Sequence, residues 1–122
     1  MKNVVLMLIL TGMSYATCGQ ELKGDWRGAL SVQGSQFRIV FHISKSETQY
    51  KATMDSPDQG ANDIPVTVTN FSYPEVKFEI PTIGMIYEGT LSGNQITGKW
   101  MQAQQSFPLV LVKFENPPTE KN

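Results

Sequence analysis

The stretch Ile86 to Trp100, IYEGTLSGNQITGKW, decides the fold. Gly93-Asn94 suits a two-residue hairpin turn with glycine at the first central position. Pairing outward from it sets Leu91 against Ile96, Gly89 against Gly98 and Tyr87 against Trp100. The opposite face sets Thr90 against Thr97 and Glu88 against Lys99. Apolar side chains and glycines share one side; hydroxyls and opposite charges share the other. A slip of one residue would send each set to the wrong face, so the register is specified. Gly34-Ser35 suggests a second hairpin of the same kind, pairing Val32 with Phe37, Leu30 with Ile39 and Gly28 with Phe41.

The same period of two runs through the chain after residue 20, and no helical period replaces it. The sets are Trp26/Gly28/Leu30/Val32, Phe37/Ile39/Phe41/Ile43, Tyr50/Ala52/Met54, Ile64/Val66/Val68, Val76/Phe78/Ile80, Tyr87/Gly89/Leu91, Ile96/Gly98/Trp100 and the run Leu109 to Val112. Eight short strands split by turn residues predict an all-β fold, a single antiparallel up-and-down barrel of about eight strands. Closure removes exposed strand edges. Such an interior is either filled by side chains or holds one small ligand. Gly28, Gly89 and Gly98 leave room beside Trp26, Phe41, Tyr87 and Trp100, and both outcomes stay open.

The amino terminus reads MKNVVLMLILTGMSYATCGQ. Lys2, the apolar run Val4 to Leu10 and the small and polar residues that follow have the three-part plan of a secretory signal peptide. The run is too short to span a bilayer. Residues 1–19 are therefore expected to be removed, leaving a barrel domain over 20–114 and a polar tail over 115–122. The expected location is periplasmic or extracellular. Lipidation of Cys18 is the less favoured branch, because Tyr15 and Thr17 stand where the lipoprotein pattern wants Leu and a small residue. Cleavage after Gly19 leaves no cysteine, which suits an oxidising compartment.

Composition narrows the chemistry. The 122 residues carry one Cys, one His and a net charge of −1. That argues against cysteine-based zinc sites, multi-histidine metal centres and a basic nucleic-acid surface. No G-x-S-x-G elbow, phosphate loop or dinucleotide fingerprint is present. His42 is expected on the outer face opposite Arg27. Glu79 and Glu88 alternate with core residues and read as solvated. The connection from Asp55 to Pro65, DSPDQGANDIP, lacks calcium-loop spacing. No metal, cofactor or transmembrane segment is called for.

Several segments resemble the amino-terminal β-domain of secreted bacterial α/β-hydrolases, serine peptidase-like proteins common in Bacteroidetes. They are GDWRGALSV, FRIVFHIS, YKATMDSPDQGANDIPV, IYEGTLSGNQITGKW and FPLVLV, with ATMDSPDQGA (52–61) the most specific. Gly24-x-Trp26 also resembles the lipocalin and avidin barrels. The hydrolase resemblance implies an accessory domain whose catalytic partner domain is absent here, so no catalytic residue carries over. The expected function is a secreted, non-catalytic, lipocalin-like module that binds a small apolar or peptidic ligand or docks on a hydrolase domain. The alternative is a fragment or split subunit of a secreted serine hydrolase. The third is a small enzyme using barrel carboxylates. The candidate ligand-binding residues lie where the 55–64 loop meets the interior rings: Asp55, Asp58 and Gln59 for polar contact; Trp26, Met54, Tyr87 and Trp100 for apolar contact.

Overall fold

The computed structural model describes residues 21–114. The signal-peptide segment, Cys18 and the tail over 115–122 lie outside the described residues. Nine strands follow one another: β1 Gly24–Val32, β2 Ser35–Ser46, β3 Gln49–Ser56, β4 Ala61–Val66, β5 Val68–Ser72, β6 Glu75–Ile80, β7 Met85–Ser92, β8 Gln95–Gln102 and β9 Gln105–Phe114. They form one antiparallel sheet in the order β4-β3-β2-β1-β9-β8-β7-β6-β5. The sheet curls into a nearly closed barrel. Among the described residues no helix is long and apolar enough to cross a membrane.

The count exceeds the expected eight because one apolar set belongs to two strands. Ile64 and Val66 lie on β4, which pairs with β3; Val68 opens β5, which pairs with β6. The break falls at Thr67, whose N–H donates to the Glu79 carbonyl at 2.9 Å. One segment thus changes partners midway and draws the two sheet edges together. Alternation runs unbroken through the change, so periodicity alone reads a single strand.

The β7–β8 hairpin has the expected register throughout, from Ser92 against Gln95 to Tyr87 against Trp100. Gly93 has φ 63°, the left-handed value that glycine adopts without steric cost. Glu88 faces Lys99 outside as expected, while its ion pair, at 3.8 Å, is with Lys77 of β6. The β1–β2 hairpin departs from expectation. Its turn is Gln33-Gly34, both left-handed, and Val32 pairs with Ser35, Leu30 with Phe37 and Gly28 with Ile39. The partners shift by two residues, which preserves the faces. His42 consequently stands opposite Asp25, not Arg27.

The interior is filled through its middle and lower parts. Phe41, Phe78 and Tyr87 form a ring cluster with centroids 4.5 to 6.2 Å apart. Tyr87 is fully buried and donates its hydroxyl to the Leu109 carbonyl at 2.8 Å; burial pushes its pKa up. That hydroxyl occupies the space made by glycine: a Cβ at Gly98 would stand 2.8 Å from it and also strike the Glu88 carbonyl. Trp26 closes the lower end. It is fully buried, and its indole N–H donates to the carbonyl of Leu22, also fully buried, at 2.8 Å. The lower end is therefore plugged, which resolves the choice between a filled and an open interior for that half.

Candidate functional site

The upper end differs. Here lie the turns Gln33-Gly34 and Ala103-Gln104 and the 3-10 turns Pro57–Gln59 and Pro81–Ile83. They rim a cavity of about 530 Å³, within the roughly 300–1,000 Å³ typical of small-molecule sites. Its apolar wall comes from the turn-proximal ends of strands: Leu30, Val32, Phe37, Ile39, Trp100 and Phe107. Its polar edge is supplied by Gln59, Gln102 and Gln105, and Ile83 closes one side. Phe107 stands opposite Trp100 across the β8–β9 hairpin. Trp100 is 4% exposed, so it forms the floor where the plugged interior gives way to the open mouth. Its indole N–H donates to Gln102 Oε1 at 3.0 Å, and Gln102 Nε2 donates to the Ile83 carbonyl at 2.9 Å. This chain of bonds fastens the Pro81–Ile83 turn to β8.

Of the seven residues expected at a ligand site, the cavity brings together Gln59 and Trp100. Trp26, Met54 and Tyr87 are buried below it as part of the plug, at most 2% exposed. Asp55 and Asp58 point to the outer wall, because strand alternation puts Met54 inside and Asp55 outside. Asp58 accepts the Arg38 backbone N–H at 2.7 Å and Arg38 Nη2 at 2.8 Å. The Arg38 guanidinium and that N–H hold the Asp58 carboxyl at about 2. Its role is to fasten the Pro57–Gln59 turn onto β2 and so to place Gln59 at the rim.

Asp55 joins a second outer cluster. His42 Nδ1 donates to Asp25 Oδ1 at 2.8 Å, and Nε2 donates to Asp55 Oδ2 at 2.7 Å. Ionised carboxylates only accept, so both ring nitrogens must carry protons, which selects the imidazolium. The bond to Asp55 raises the His42 pKa most, with burial opposing and Asp25 adding to it. Asp55 Oδ1 also accepts the Asp63 N–H at 2.7 Å, which with His42 lowers the Asp55 pKa. The cluster ties β1, β2 and β3 together, with Thr53 the cross-strand partner of His42.

The raised His42 pKa fixes a sign. Its stabilising contribution is complete below the unfolded value, about 6.5, and is lost as pH rises through the higher folded value. The ring is 38% exposed, so solvent screening keeps the effect under about 1 kcal/mol. Urea midpoints measured across neutral pH should fall with rising pH in the parent relative to His42→Gln. A parent that gains on the variant over that range would exclude the imidazolium clamp.

A second concavity, about 680 Å³, adjoins this cluster: Asp25 and His42 line it together with Ser44, Lys51, Thr53 and Thr67. The chain matches no family model, no curated protein and no solved structure.

Proposed function

We propose that the protein is a non-catalytic binding module whose barrel mouth takes a small apolar ligand. The observation that carries this reading is the arrangement of half-buried Val32, Phe37 and Phe107 around a cavity floored by Trp100. Apolar surface left accessible in a concave site is what a ligand would cover. The lone histidine is engaged by two carboxylates on the outer wall, which supports a binding role over catalysis. Export is part of the proposal and rests on Lys2 and the apolar run Val4 to Leu10. Intact mass of material from the native host checks it: retained Met1 counts against export. Association with a hydrolase rests on the quoted sequence segments and would show as co-purification.

The site is tested by titrating purified protein with N-phenylnaphthylamine, whose emission rises in apolar surroundings. A saturable rise is expected. Phe107→Glu, which puts a charge into the rim, should weaken binding by about tenfold or more, equivalent to about 1.4 kcal/mol. Tyr87→Phe, altered only within the plug, should bind as the parent does. Equal binding by Phe107→Glu and the parent would remove the mouth as the site.

A further inference from the structure

We infer that the mouth selects an uncharged ligand that carries a hydrogen-bond acceptor, such as an ester, amide or ketone, and rejects carboxylates and ammonium ions; this rests on the mouth being the ligand site. Among the described residues, no ionisable side chain lines the cavity. Its polar groups are the amides of Gln59, Gln102 and Gln105. The charged pair nearest the rim, Arg38 and Asp58, is closed on itself through three guanidinium–carboxylate contacts of 2.8 to 3.3 Å besides the backbone bond, and neither residue lines the cavity. Asp58, neutralised by Arg38, is the one charged residue of the rim turns, whose other members include Gln33, Gln59, Ala103 and Gln104, whereas Lys23, Asp25, Lys45, Glu47 and Glu75 sit toward the opposite end. A carboxylate entering the mouth would shed water and meet no cation, and an ammonium would meet no anion. Burying an unpaired charge is costly, while a neutral ester or amide gives up far less.

The amides also differ in what they have left to offer. Gln102 is committed at both ends, to Trp100 and to the Ile83 carbonyl. Gln59 Oε1 accepts from the buried Ser56 hydroxyl at 2.8 Å. One lone pair of its oxygen is thereby used, while its NH₂ group remains to donate. A donor at the rim of an apolar cavity asks for an acceptor on the ligand, which sets the orientation as well as the class.

Two pairs of probes read the charge rule. N-phenylnaphthylamine and anilinonaphthalene sulfonate share one ring skeleton and differ by a sulfonate. Methyl laurate and laurate differ by the ionised head group at mildly alkaline pH. The neutral member of each pair should bind at least about tenfold more tightly. Gln59→Leu should weaken methyl laurate and leave N-phenylnaphthylamine unchanged. Gln59→Lys supplies the missing cation and should bring laurate binding in. Equal affinity within both pairs would overturn the charge rule while leaving the ligand site standing. Unchanged methyl laurate binding in Gln59→Leu would overturn the role of Gln59. Absence of binding by every probe would remove the site and the inference together.

Discussion

Trp26→Ala should destabilise the protein by about 3–5 kcal/mol, the range for emptying a fully buried large ring. Trp26 has no exposed surface and covers the lower end of the barrel together with Leu22. Its loss removes the ring volume and leaves the buried Leu22 carbonyl without its donor. An orphaned buried carbonyl alone costs about 1–3 kcal/mol. Trp26→Phe separates the two contributions, because it keeps most of the apolar volume and loses the N–H. Urea denaturation of the three proteins should give the order parent, Phe, Ala. An Ala variant within about 0.5 kcal/mol of the parent would mean that the lower end does not depend on this ring.

Trp100→Ala should cost about 3 kcal/mol, the low end of the same range, because one side of the ring faces the mouth instead of packed neighbours. It has a second consequence that Trp26→Ala lacks. Gln102 loses the indole donor, and the turn over Pro81–Ile83 loses part of its fastening. Ligand affinity should therefore change in Trp100→Ala and stay near the parent value in a conservative Trp26→Phe. Lys99→Ala, one residue away on the outer face, should fall within about 0.5 kcal/mol of the parent. A Lys99→Ala protein that melts well below Trp100→Ala would contradict the inward packing of Trp100.

The sequence made the β7–β8 hairpin legible because three independent signals agree there: glycine at the turn, apolar and glycine pairs inside, and a hydroxyl and a charge pair outside. The β1–β2 turn was harder to place. Gln33 takes a left-handed conformation that its residue type does not announce, so the neighbouring Gly34 drew the turn one position too late. The mouth was only partly legible for a related reason. The β8–β9 turn is Ala103-Gln104, left-handed without any glycine, so nothing local marked Phe107 as the partner of Trp100. Leu30, Val32 and Phe37 were on the correct face, and their closeness to a turn was the available sign that they reach a rim. Asp55 and Asp58 were assigned to the mouth because a polar loop reads alike whichever way it leans. Alternation next to inward Met54 sets Asp55 outside, where His42 holds it, and Arg38, twenty residues from Asp58 in sequence, turns that residue outward through contacts that only strand pairing creates.

The strand order bears on how the molecule assembles. Neighbours in the sheet are neighbours in the chain at every step except one: β1 against β9, where Asp25 meets Phe114. Residues before Thr67 make one run of hairpins, and residues after it make another. Each run can zip from its own turns with short loops, which keeps the entropic cost of each step small. The β1–β9 pairing must instead draw together two segments separated by most of the domain, and it gains stability only once both runs offer their edges. Gly28 sits at that junction, so near the Val110 carbonyl that a side chain would collide with it. A methyl group there would burden the step that joins the halves far more than the hairpins within them. That one meeting of strands is the pairing with the longest sequence separation in the sheet and carries its largest loop-closure cost.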